Sequence, residues 1–284
     1  IWGYDTLGSS HFHAGASDLF STNKYGADVF NDILPIENMK ESNTVFNRTG
    51  QMFNRAFSHA RSLKVNTAIG TELTLGIEPE GEAVRFDWNR VMPLSLQEKL
   101  SSMGKDPGDP AVVKEVYKGI FKRITKTHPL DYYWLWSWEV WSLHDPVTPE
   151  QIKAFKKDIQ LAHEALKELG NPFQLGLGGW ILGTEDNPAV FDDVLPAQAP
   201  FFFLWVQADG FEELSDERIK WPATWLEEDW GLIQPQLELH RIYDDISAAL
   251  NKNCHGMIAK HWRTRVLGGN TASMKSLLWA YGKT

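Results

Sequence analysis

Helix-like and strand-like segments alternate along almost the whole chain, and this alternation constrains the fold more than any other feature of the sequence. Residues 46–63 place Phe46, Met52, Phe53, Ala56, Phe57 and Ala60 near the 3.6-residue period of a helix. A strand over 65–72 follows. A helix over 112–127, just after Pro110, leads into a tryptophan-rich strand that starts at Tyr132. Residues 149–169 read as an amphipathic helix with Thr148 as N-cap, Pro149 in the first position and Gly170 as the stop. Strands are then expected at 173–180, 201–206, 221–228 and 255–262. A short helix at 189–195, a polar helical turn, and helices at 237–250 and 272–281 lie between and after them.

Strands joined by helices of this length pair in parallel through crossover connections. Their apolar character on both faces fits a sheet covered by helices. An open doubly wound sheet and a closed barrel both satisfy that pattern. No glycine-rich phosphate turn follows the first strand, and Gly176-Leu177-Gly178-Gly179 lies inside a strand. Polar and aromatic clusters end nearly every strand, which favours a (β/α)8 TIM-like barrel whose site lies on the C-terminal rim. Counting Trp2–Asp5, seven strands are visible; the eighth lies upstream or within 28–36, leaving the first strand missing or irregular. Residues 1–284 read as one catalytic domain with a rim excursion at 78–109, and the lack of an initiator Met suggests a piece of something longer.

The richest segment is Tyr132-Tyr133-Trp134-Leu135-Trp136-Ser137-Trp138-Glu139-Val140-Trp141. A glutamate ringed by indoles is partly desolvated, which raises its pKa toward the range of a general acid. Thirteen tryptophans in 284 residues exceed what core packing absorbs, and flat indoles suit the apolar faces of sugar rings. Glu139 is therefore the expected acid/base. Glu227 and Glu228, after Trp225, are the candidates for nucleophile, with Glu228 preferred. Trp136, Trp138, Trp141, Trp180, Trp205, Trp225 and Trp262 are the expected sugar-binding indoles. Glu72 and His261 add hydrogen-bonding groups, and Arg263 offers a planar fork for an acidic, uronic or sulfated sugar. Asn270 has the reach to join that rim. His11-Phe12-His13 could instead serve a metal-dependent hydrolase, although the middle strands supply no further histidines. No metal or other cofactor is expected for the carboxylate mechanism.

A formal net charge of −9 argues against a nucleic-acid partner. No apolar run in the sequence reaches membrane-spanning length, so no membrane partner is expected. The expected partner is a carbohydrate substrate, and the expected location secreted or periplasmic. The single cysteine, Cys254, excludes an internal disulfide and reads as structural.

With these residues in place, the chain resembles the glycoside hydrolases built on (β/α)8 barrels. In the large retaining clan of that fold the acid/base follows strand four and the nucleophile strand seven. With the first strand upstream of Ile1, Glu139 and Glu227-Glu228 take those places. Trp138 stands where that clan carries Asn. Ser137-Trp138-Glu139 lacks the Asp of hexosaminidase-like families, which points away from substrate-assisted hydrolysis. The closing His261-Trp262-Arg263 is similar to families acting on uronic-acid or algal polysaccharides. The resemblance implies an O-glycosidase degrading a poly- or oligosaccharide; a noncatalytic carbohydrate-binding barrel is the alternative.

Overall fold

The structure is a computed structural model that describes residues 39–72, 92, 94–136, 148–179, 183–184, 186–203, 210–226, 237–260 and 268–281. Its elements in chain order are α1 (Met39–Ser62), β1 (Ala68–Glu72), α2 (Leu94–Ser102), α3 (Pro110–Thr127), β2 (Tyr132–Trp136), α4 (Pro149–Glu168) and β3 (Gln174–Gly179). There follow β4 (Phe201–Phe203), a 3-10 turn at Phe211–Glu213, β5 (Lys220–Trp225), α5 (Leu239–Asn251), β6 (Ile258–Lys260) and α6 (Gly268–Tyr281). The chain is an α/β fold of parallel strands and intervening helices. The closed eight-stranded expectation is corrected to six strands among the described residues. The expected strands at 2–5 and within 28–36 lie outside them. The expected excursion at 78–109 contains α2. Contacts group the chain into two compact units, Ile1–Leu135 with Thr148–Leu175, and Trp136–Val147 with Gly176–Thr284.

In the first unit, β2 alternates. Tyr133 and Leu135 are buried, whereas Tyr132 and Trp134 are half-buried on the opposite side. The buried face meets α3 and α4: Phe121 stands edge-on to Tyr133 at 5.0 Å and to Phe173 at 5.4 Å. Val113, Val116, Ile120 and Ile124 of α3 and Phe155, Ile159, Ala162 and Leu166 of α4 complete this core. Full burial of such side chains stabilises by about 1.5–3 kcal/mol each before conformational entropy is subtracted. Tyr117 donates its hydroxyl to the buried carboxylate of Asp158, which satisfies both groups inside the α3–α4 contact.

The ends of α4 follow the sequence closely. The Thr148 hydroxyl accepts from the Gln151 amide and the Gln151 side chain accepts from the Thr148 amide, a reciprocal capping box. Gly170 takes φ +79° just beyond the helix, a conformation that costs a glycine little. Asp109 caps α3 with its side chain, which accepts from Ala111 N, the residue after Pro110.

Asp131, between α3 and β2, ties several segments of this unit. Its Oδ2 accepts from Thr67 N at 2.8 Å and from Thr67 Oγ1 at 3.1 Å, and its Oδ1 accepts from Arg61 at 2.8 Å. Its own amide donates to Thr67 O, and its carbonyl accepts from Gln174 N. Burial pulls this carboxyl upward, but the Thr67 amide, Arg61 and the Thr67 hydroxyl together outweigh it and hold the carboxyl below its ordinary value.

In the second unit β3, β4, β5 and β6 lie side by side in parallel. Helices α5 and α6 pack on one face through Leu226, Ile242, Ile246 and Met274, with Met257 and Ala259 beside them. On the same side Thr224 donates to Asp245 of α5. The expected short helix at 189–195 is corrected: the segment forms successive turns. Pro196 has no N–H to give the Asp192 carbonyl four residues earlier, so an α-helical bond is impossible there. The buried guanidinium of Arg218 takes that carbonyl instead, along with those of Leu195, Pro196 and Ala199. Its Nε donates to Asp192 Oδ1 at 2.7 Å, so every N–H of the fork is used, and its Cζ lies 4.1 Å from the centre of the Phe201 ring.

Candidate functional site

The parallel register of the second unit sets which side chains share a face. Phe202 pairs with Trp221, Ala223 with Ile258, and Trp225 with Lys260. Strand side chains alternate, so Phe202, Trp221, Ala223, Trp225, Ile258 and Lys260 all lie opposite the α5–α6 side. Gly178 of β3 is opposite Phe202, and a Cβ built there would fall 1.9 Å from the ring. Glycine at 178 is what lets the Phe202 ring lie across β3.

Trp136, the last residue of β2, belongs to this unit and joins the same group. Its ring lies 5.1 Å from that of Phe202, and it packs on Ala223 and Trp225 together with Ile258. The Lys260 ammonium lies 4.3 Å from the centre of the Trp225 indole and 5.4 Å from that of Trp136. Both distances are within the reach of cation–π attraction, worth about 0.5–2 kcal/mol depending on desolvation. Trp225 is buried and Trp136 half-buried, so Trp136 is the more accessible wall and Trp225 the backing. All three residues close their strands at the C-terminal ends, where parallel α/β sheets place ligands.

One backbone bond and one side chain fix this edge. The Leu226 amide donates to Lys260 O at 2.9 Å. Asn270, buried in the first turn of α6, donates to Leu226 O at 2.6 Å and accepts from Glu238 N at 2.9 Å. It thereby holds the end of β5 and the start of α5 together, both sides of residues 227–236.

Of the residues selected from sequence, the structure brings together Trp136 and Trp225. Glu72 ends β1, and its side chain lies outside the described residues. Glu139, Glu227, Glu228, Trp138, Trp141, Trp180, Trp205, His261, Trp262, Arg263, His11 and His13 lie outside them too. Lys260 was not among the residues selected. The signal was there, because two residues from its register partner Trp225 the strand carries Ala223, and alternation from Ile258 points Lys260 to the same face.

Cys254 lies at the other end of β6, in the turn that precedes it. Burial pushes its thiol up to about 11, against the opposing pull of Lys220 and Lys252. A thiol protonated at neutral pH is a poor nucleophile.

No protein family and no curated protein matches the chain. Among solved structures it is similar to a 3-keto-D-glucoside 4-epimerase from E. coli at 11% identity, covering 83% of this chain and 86% of that one with a TM-score of 0.40. A second likeness, at 8% identity, 66% and 82% coverage and a TM-score of 0.29, is to a proposed phosphonomutase from Burkholderia cenocepacia. Neither is an O-glycosidase, which overturns the expected membership of the glycoside hydrolases. The glycosidase activity and the role in polysaccharide degradation implied by that resemblance are corrected with it. These likenesses bring neither protein's activity to this chain.

Proposed function

We propose that the second unit binds a sugar-class ligand at the C-terminal ends of β2, β5 and β6 and moves a proton on it without cleaving a glycosidic bond. The observation that supports this most is the Lys260 ammonium set over the indoles of Trp225 and Trp136. An indole face suits the C–H face of a sugar ring, and an ammonium among aromatic side chains acts more strongly on a nearby oxygen than one in water. When a base takes a proton from the carbon next to a carbonyl, the electron pair moves onto the carbonyl oxygen. Lys260 is the group that would stabilise that negative charge. Glu139, three residues after Trp136, and Glu227 and Glu228, just after Trp225, are the proposed bases. Trp138, Trp141, Trp180, Trp205, His261, Trp262 and Arg263 are proposed to contact the ligand.

The test combines binding and exchange. Quenching of tryptophan fluorescence by a panel of aldoses, ketoses and uronates, weakened in Trp136→Ala, is expected. Incubation of the ligands that bind in D2O should place deuterium on a ring or chain carbon, detected by NMR. Absence of saturable quenching across the panel rejects the ligand class, and binding without exchange rejects the proton transfer.

A further inference from the structure

We infer that His128 is a proton-sensitive latch that holds α1 against the end of α3 in the first unit. The imidazole is buried at the C-cap of α3 and lies between two rings of α1, 5.4 Å from Phe53 and 5.3 Å from Phe57. Its Nδ1 is 3.1 Å from the Pro129 carbonyl. On either side α1 grips the same corner by polar bonds. Asn54 donates to Thr127 O at 2.9 Å, and Arg61 donates to Leu130 O at 3.2 Å as well as to Asp131. Gly50 lies against the Thr127 side chain, where a Cβ would sit at 3.4 Å. The His128 ring is thus the aromatic centre of a contact with hydrogen bonds at both ends.

A cation in that position would be taken out of water among phenyl rings. Basic groups flank the ring on both elements. On α1 these are Arg55 and His59, both exposed, and Arg61, which is bonded to Asp131; on the last turn of α3 they are Arg123 and Lys126. Burial is the main influence on the ring and lowers its affinity for a proton from the ordinary 6.5, opposed by the Pro129 carbonyl. With α1 undocked, the ring returns toward 6.5. The docked form therefore binds fewer protons, so docking is complete above that pH and weakens as the pH falls below it. One pH unit below 6.5 the loss reaches up to about tenfold in the docking equilibrium. The Arg61–Asp131 pair does not titrate in this window, because its carboxyl lies below its ordinary value of 3.8.

Hydrogen exchange of the full chain at pH 7.5 and pH 5.5, corrected for intrinsic exchange rates, reads this directly. Amides over 53–62 should lose up to about tenfold protection at the lower pH, and His128→Gln should abolish that difference. Equal protection of the wild type at both pH values, or the same loss in His128→Gln, overturns the latch. Should His128→Gln not fold, an NMR titration of the wild-type ring decides. A midpoint below 6.5 supports the inference, and one at or above it overturns it.

Discussion

The ammonium of Lys260 lies 4.3 Å from the centre of the Trp225 indole, across the register pair that ends β5 and β6. The same ammonium is 5.4 Å from Trp136, so the two attractions are unequal. A double-mutant cycle of Lys260→Met with Trp225→Phe should give a coupling of about 0.5–2 kcal/mol in urea denaturation. The cycle with Trp136→Phe should give less. Equal couplings, or none at Trp225, would show that the geometry has no energetic weight.

Arg218 organises the turns that replaced the expected helix at 189–195. Replacing it with Met takes the guanidinium from the half-buried Asp192 carboxylate and from four carbonyls. The expected cost is about 3–5 kcal/mol, read as a drop in the urea midpoint of the second unit. Arg218→Lys should recover only part of it, since one ammonium cannot reproduce a planar fork with five donors. A loss below about 1 kcal/mol for Arg218→Met would contradict this account.

The Asp131 carboxylate is held below its ordinary 3.8, so it contributes stability above that pH and loses it as the pH falls through the native value. Asp131→Asn should cost about 1.5–3 kcal/mol at pH 7 through the lost charge-assisted bonds to Thr67 and Arg61. The gap between the variant and the wild type should narrow as the pH falls below 3.8. Circular dichroism melts across pH 7 to 2 measure this, and a constant gap between the two proteins would be the wrong result.

Cys254 should resist alkylation in the native chain at pH 8, because its thiol is pushed up to about 11 by burial. Iodoacetamide labelling followed by mass spectrometry should be at least about tenfold slower than in urea. Native labelling as fast as the unfolded rate would mean that the thiol is solvated.

Local signals in the sequence were read well where one residue settles one bond. Thr148, Pro149 and Gly170 set the ends of α4 by capping and by a left-handed stop, chemistry confined to neighbouring residues. The alternation of strands and helices gave the parallel α/β class for the same reason. Residues 189–195 misled because the decisive partner, Arg218, lies more than twenty positions away and competes for carbonyls that a helix would use. Asn270 was read for its reach toward the rim, and its actual bonds to Leu226 and Glu238 depend on tertiary packing that no local pattern encodes. Lys260 is set apart from the neighbouring His261-Trp262-Arg263 only by its register with Trp225, a tertiary pairing that local sequence does not show. The glycosidase reading rested on strand counting and an indole-flanked glutamate, and such architecture is shared by many chemistries.

The notch that Gly178 leaves for the Phe202 ring has an evolutionary corollary. A methyl group at 178 has nowhere to go while a phenyl ring occupies the space beside it, and a smaller residue at 202 leaves that space empty. Descendants of this chain can therefore alter either position only by altering both, and the two sites should drift as a linked couple.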